Sequence, residues 1–274
     1  HVDLHLILRL QRNMCIRESF SLVDRAHEHF GRLDTVVSNS GVTNYVRDKD
    51  GQVVRYRFTE TPIDHLQEEM DRVLSVNLMG AYRLCQRSLK YMIEAAESER
   101  QAGLEVAHRS FLFIATVSDV APDSTRIPYG VSKAGLNHVV LGAAFEGGQH
   151  NITVNALRPG VVETPLTSRP SGLVDPLTNQ EYTVAETYGL MAEGGSQAMS
   201  RIGQPEDIAG AAVAFDAYID HDKPGDDEGD AAAVKLHAWR DADKAKKLSE
   251  CAALVAAEQA ATAAETGDKC SPPR

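Results

Sequence analysis

The spacing of apolar positions changes several times along the chain, and each change marks an element. Val2–Leu8 (VDLHLIL) alternates and is rich in branched residues, the pattern of a strand. In Glu18–Phe30 the apolar positions Phe20, Val23, Ala26 and Phe30 recur at helical spacing, and Gly31 stops the helix. Thr35–Val37 is a short apolar run entering the small polar residues Ser38-Asn39-Ser40-Gly41, a buried strand leading into a tight loop. Asp50-Gly51 within Asp48–Arg57 is a hairpin-turn signal. Pro62–Glu97 reads as one long helical stretch with a break expected near Asn77 and Gly80. Ser110–Ala115 (SFLFIA) is a second buried strand, Ile127–Glu146 a helix, and Thr153–Leu157 a strand ending at Arg158-Pro159-Gly160. Pro205–Phe215 opens with Pro, Glu and Asp, which suit the first turn and positive end of a helix.

Strands alternating with helices predict a parallel sheet covered on both faces, with ligands at the carboxyl ends of the strands. The loops after Val37, Ala115 and Leu157 are therefore where chemistry is sought. Beyond Phe215 the composition shifts. Asp220–Asp230 is acidic with Gly and Pro, a solvated linker. Ala233–Trp239 offers a possible last strand, Asp241–Glu265 is an alanine-rich helix, and the closing CSPPR is expected to be disordered. The expected organisation is a domain over 1–215, a linker with a possible strand over 216–240, and a helix and tail over 241–274.

The 274 residues are enough for one large α/β domain with an appendage. A net charge of −11 argues against nucleic acid as the main partner. Cys15, Cys85, Cys251 and Cys270 are scattered, with no metal-ligand spacing, so no metal site is expected and a reducing, cytoplasmic setting is. No apolar run is long enough to span a bilayer, and no membrane partner is expected.

PYGVSKAG (residues 128–135) places Tyr129 and Lys133 one helical turn apart. That spacing serves a solvated helix face as well as an acid beside a cation that lowers its pKa. The other polar residues at strand ends have plain structural readings too. Asn77 is a core amide or a site residue. Thr116 and Ser118 are turn caps or site hydroxyls. Gly41 and Pro159-Gly160 are turn punctuation or site backbone.

Taken together, FGRLDTVVSNSG (Phe30–Gly41), VLSVNLMG (Val73–Gly80), FIATVS (Phe113–Ser118), PYGVSKAG, VNALRPGVVET (Val154–Thr164) and RIGQPEDIA (Arg201–Ala209) resemble the short-chain dehydrogenase/reductase family. Within it they are most similar to the 3-oxoacyl-carrier-protein-reductase-like enzymes. The resemblance runs from about Val2 to about Phe215. It implies a Rossmann-like doubly wound parallel sheet and an oxidoreductase that moves hydride between NAD or NADP and a small-molecule carbonyl or alcohol. It also implies a homo-oligomer, dimer or tetramer.

By this resemblance Tyr129 transfers the proton, Lys133 lowers its pKa and bonds the cofactor ribose, and Asn77 anchors a relay water. Thr116 stands 13 positions before Tyr129, where the family has a serine, and Ser118 is the alternative. Cofactor contacts are implied at Asn39, Ser40, Gly41, Tyr129, Lys133, Pro159, Gly160, Val162 and Thr164. Thr164–Ser200, with Leu166, Leu173, Tyr182, Tyr188 and Met191, is implied as the substrate lid.

Three features depart from the family pattern. Thr116 replaces the serine. No glycine-rich loop precedes Gly31, the first glycine, so Val2–Leu8 aligns with the family's third strand and the sheet is expected to be incomplete at its N-terminus. The opening His1 fits an N-terminally truncated member, and this chain alone is expected to bind free dinucleotide poorly. The Asp-Gly-Gly motif expected after Phe215 is replaced by the acidic linker. An edge left open on Thr35–Val37 is expected to be covered by Val2–Leu8, by a partner chain, or by sequence not included here. The alternative function is a non-catalytic binding or assembly module on the same fold.

Overall fold

A computed structural model of the chain describes residues 6–8, 16–44, 46–47, 53–54, 56–120, 125–168, 170–195 and 199–219. The Asp50-Gly51 turn, the acidic linker, the possible last strand, the alanine-rich helix and the tail lie outside the described residues. So does most of Val2–Leu8.

β1 (Leu6–Leu8), β2 (Thr35–Ser38), β5 (Arg109–Ile114) and β6 (Ile152–Leu157) form one parallel sheet in the order β1-β2-β5-β6. Leu6, Ile7 and Leu8 pair with Val36, Val37 and Ser38, so the edge of β2 is covered by the chain's own first strand. β2 in turn pairs with β5, and β5 with β6. β5 lies between two strands, and its first five residues are buried, as expected for a parallel strand covered on both faces. β3 (Val46–Arg47) and β4 (Val53–Val54) are an antiparallel pair flanking the sequence-predicted turn.

α1 (Ile16–Phe30) ends as expected. Gly31 takes φ +74° and returns its N–H to the His27 carbonyl at 2.8 Å. α2 (Ile63–Leu74) and α3 (Ala81–Gln101) flank a π-helical segment, Ser75–Gly80. The expected break near Asn77 and Gly80 is therefore a widening of the helix and not an interruption. Such widened turns recur at functional sites. α4 (Ile127–Gly147) leads into β6, and Gly147 permits the close approach. A Cβ there would lie 3.1 Å from the Ile152 carbonyl oxygen. Val23, Val36, Leu84, Met92, Phe111 and Leu136 belong to the core between the sheet and its helices.

The 164–200 segment, expected as a lid, is more regular than its sequence pattern suggested. It contains β7 (Pro170–Val174), β8 (Glu181–Thr183) and α5 (Val184–Glu193). β7 and β8 pair into a two-stranded sheet. α5 opens on a capping box. The Thr183 hydroxyl accepts from the Glu186 N–H at 3.1 Å, and Glu186 Oε2 accepts from the Thr183 N–H at 2.7 Å. Thr183→Ala is expected to cost about 1 kcal/mol in urea unfolding, the usual worth of an N-cap. α6 (Pro205–Ile219) continues past the boundary expected at 215.

Two compact units emerge, His1–Gly160 with Pro170–Tyr182, and Val161–Arg169 with Thr183–Arg274. Among the described residues no helix is long and apolar enough to cross a membrane.

Candidate active site

The carboxyl ends of β2, β5 and β6 open on the same edge of the first unit, because the strands are parallel. Pairing continues beyond the strands. Ala115 N–H donates to the Leu157 carbonyl at 2.8 Å, and Val117 N–H to the Pro159 carbonyl at 3.1 Å. These bonds fix Thr116, which lies between them, in an extended conformation with φ −170°. The Thr116 hydroxyl accepts from the Ser118 N–H at 3.2 Å and makes a hydrogen bond with the Tyr129 phenol.

α4 carries Tyr129 in its first turn, where Pro128 loses no helical hydrogen bond. Tyr129, Ser132, Lys133 and Leu136 recur at helical spacing and are 9%, 0%, 4% and 1% exposed. The solvated-face reading of PYGVSKAG is thereby excluded, since both polar residues point inward.

Lys133 Nζ donates to the Ile114 carbonyl at 2.9 Å, at the end of β5. Burial lowers the pKa of this ammonium to about 8. Tyr129 shifts the other way from the sequence-based expectation. Burial raises its pKa, against smaller lowering effects from the Thr116 hydrogen bond and the Arg126 charge. Lys133 Nζ lies 6.0 Å from the Tyr129 ring centroid, with its hydrogen bond committed to Ile114. A lysine-driven lowering of the phenol pKa is thus not a feature of this state.

Asn77 is fully buried in the π segment. Its Oδ1 accepts from Val42 N–H at 2.8 Å, and its Nδ2 donates to the Val42 carbonyl at 2.8 Å and to Ser132 Oγ at 3.0 Å. Ser132 Oγ donates to the Tyr129 carbonyl at 2.7 Å. Both amide donors are consumed, so the side chain braces the loop after β2 against α4 and has no donor left for a water. Sequence reasoning missed Ser132. Its signal was a polar residue three places after Tyr129, on the same helix face.

Gly41 faces this group. A Cβ there would lie 3.5 Å from Asn77 Oδ1 and 3.7 Å from Lys133 Nζ. Asn39 is exposed and Ser40 half-buried in the same loop. Ser118 supplies its main-chain N–H to Thr116, while its carbonyl oxygen would lie 3.4 Å from a Cβ at Gly130. The first unit therefore brings together Gly41, Asn77, Thr116, Tyr129 and Lys133, with Pro159 beside Val117 and Gly160 exposed next to it.

Val162 and Thr164 belong to the second unit. Val162 bridges to Gly203, and the Thr164 carbonyl accepts the N–H groups of Thr167 and Ser168 at 2.9 and 3.0 Å. Among the described residues, no group of three or more His, Cys, Asp or Glu side chains is placed to hold a metal.

Residues 17–215 match the protein family described as enoyl-(acyl carrier protein) reductase. The chain belongs to this family of short-chain dehydrogenase/reductases. It is 28% identical over 148 residues to the 3-oxoacyl-[acyl-carrier-protein] reductase FabG of Thermotoga maritima, covering 54% of this chain and 50% of that protein. It is 28% identical over 195 residues to the 7alpha-hydroxysteroid dehydrogenase of Clostridium sardiniense, covering 71% and 61%. Its fold is similar to a crystal structure of a 3-oxoacyl-[acyl-carrier protein] reductase from Brucella melitensis in complex with NAD. The TM-score is 0.56 at 26% identity, over 76% of this chain and 68% of that one. The chain spans about half to three fifths of the length of these two curated relatives. In this short-chain dehydrogenase/reductase the hydroxyl bonded to the tyrosine belongs to a threonine.

Proposed function

We propose that the protein is an NAD(P)-dependent oxidoreductase that moves hydride between a nicotinamide cofactor and a carbonyl or alcohol. The observation that carries this reading is the inward-facing Tyr129–Lys133 pair on α4, with the phenol hydrogen-bonded to Thr116. The enzymes to which the chain is similar favour a catalytic role over a non-catalytic module.

The residues present fit one side of a dinucleotide. An ammonium has three donors, and the Ile114 carbonyl takes one. Lys133 would bond a ribose hydroxyl with another, and Gly41 leaves backbone room beside it. Asn39, Ser40, Pro159 and Gly160 are assigned to the same cofactor. The cofactor supplies or accepts the hydride. Tyr129 gives a proton to the carbonyl oxygen during reduction and takes one from the alcohol during oxidation. Thr116 holds that oxygen beside the phenol. Asn77 and Ser132 fix α4 and the loop after β2, so that this geometry exists before substrate arrives. The proposed setting is a cytoplasmic homo-oligomer.

The test is cofactor-dependent turnover of a panel of ketones and secondary alcohols by the purified chain, with Tyr129→Phe as the control. Absence of any Tyr129-dependent turnover with either cofactor at concentrations that saturate binding overturns the reading. The assignment of the hydroxyl is tested in the same assay. Thr116→Val is expected to lower kcat about tenfold, the worth of one hydrogen bond, and Ser118→Ala to leave it near the parent value. Loss in the serine variant alone moves the role to Ser118.

A further inference from the structure

A second polar cluster lies directly behind the candidate site. Asp119 closes the short 3-10 turn Val117–Asp119, three residues past Thr116. Its side chain is fully buried. One carboxylate oxygen accepts from Asn137 Nδ2, and the other from the Arg158 guanidinium. Asn137 lies on α4, one turn beyond Lys133, and Arg158 immediately precedes Pro159-Gly160. We propose that Asp119 is a positioning residue for the proton-transfer pair, joining the turn that carries Thr116 to α4 through Asn137 and to the turn after β6 through Arg158. This rests on the reading of Thr116 and Tyr129 given above.

The energetics favour a positional role over a purely stabilising one. A buried carboxylate is costly unless it is paired and hydrogen-bonded. The Arg158 side chain is 42% exposed, and an ion pair open to solvent on one side adds little net stability. Burial pushes the Asp119 carboxyl up, but the bonds from Asn137 and Arg158 outweigh it and hold the carboxyl below the usual range. The group is therefore a fixed anion at neutral pH. Its two oxygens point to two different segments, as joining three pieces of backbone requires. Beyond Ala115 the two turns share the main-chain bond from Val117 N–H to the Pro159 carbonyl, which lies between Thr116 and the carboxylate. Releasing Asp119 leaves the Ala115 and Val117 main-chain bonds to hold Thr116 without the tie through Asn137 to α4.

The experiment has two arms. Asp119→Asn keeps the shape and removes the ion pair, while Arg158→Lys keeps the charge and removes the planar fork. In the turnover assay each is expected to lower kcat about tenfold with KM within about twofold, and Asp119→Asn is expected to add little to Thr116→Val in the double variant. Full additivity, or a change in KM alone, overturns the proposal. The second arm needs no turnover. In protein carrying 13C-labelled tyrosine, the Cζ resonance of Tyr129 is assigned by its absence from Tyr129→Phe. It is expected to move in Asp119→Asn and Arg158→Lys in the direction in which Thr116→Val moves it. A resonance that stays at its parent position in both overturns the proposal. Lack of turnover in the parent chain would count against the functional reading alone, because this arm still decides the placement of Thr116. Melting curves identify a variant that fails to fold, and the other variant then carries the test.

Discussion

Tyr129→Phe is expected to lower kcat by about 10²–10⁴-fold, the range attributed to a positioned general acid, while the fold stays intact. The substitution removes one oxygen and keeps the ring. Tyr129 is only 9% exposed, so the apolar packing of the ring against its surroundings carries over to phenylalanine. What is lost is the proton and the hydrogen bond with Thr116. The direction of the pKa shift adds a second expectation. With burial raising the phenol above its ordinary value, Tyr129 holds its proton at neutral pH and is ready to donate it. Carbonyl reduction should therefore run at neutral pH. Alcohol oxidation, which needs the phenolate as base, should speed up as pH rises toward the phenol pKa. Steady-state kinetics in both directions, with a melting curve for each protein, check this. A Tyr129→Phe enzyme with near-parent kcat would remove the phenol from the mechanism.

Much of the frame was legible because burial leaves a period in the sequence. SFLFIA had to be a strand covered on both faces, and β5 is one. Residues 129, 132, 133 and 136 form an inward stripe, but in PYGVSKAG the stripe contains a tyrosine, a serine and a lysine, which periodicity alone reads as a polar face. Only tertiary placement distinguishes the two. The π segment was visible as a disturbance around Asn77. Its form was not, since local sequence does not reveal that the amide bonds to Val42 and Ser132 across 35 and 55 residues. β1 was legible as a strand, and its pairing with β2 as one of three ways to cover that edge, because the choice among them depends on tertiary placement. The hairpin and α5 hid in a mixed-polarity stretch. The Thr-Val-Ala-Glu start at Thr183 was a readable capping box. The cluster of Asp119, Asn137 and Arg158 has no sequence spacing at all, since it forms where three segments converge.

Lys133→Met should remove a specific slope from the dependence of stability on pH. An unfolded lysine titrates at 10.5 and the buried one at about 8. Between these values the unfolded chain binds more protons than the folded one, so stability rises with pH across that window. The total is roughly 3 kcal/mol. The methionine variant lacks this gain. At neutral pH the two proteins should differ less, because two effects oppose each other. The substitution relieves the cost of burying a charge, but it strips the Ile114 carbonyl of its donor, a loss of about 1–3 kcal/mol. The parent profile alone would mislead. Burial pushes the Cys85 thiol from 9.0 to about 12. The unfolded thiol loses its proton first, so stability falls between those values by roughly 4 kcal/mol. The lysine gain and the cysteine loss overlap above pH 9 and mask each other. Subtracting the Lys133→Met profile from the parent profile cancels the Cys85 contribution, which both proteins share. The difference should change by roughly 3 kcal/mol between pH 8 and 10.5 in urea unfolding, in the parent's favour as pH rises. Parallel profiles would mean that the ammonium is not buried as a charge. Turnover should be lost in the same variant, since the substituted side chain has no donor for a ribose hydroxyl. Loss of turnover together with loss of the slope would locate both effects in the one buried ammonium.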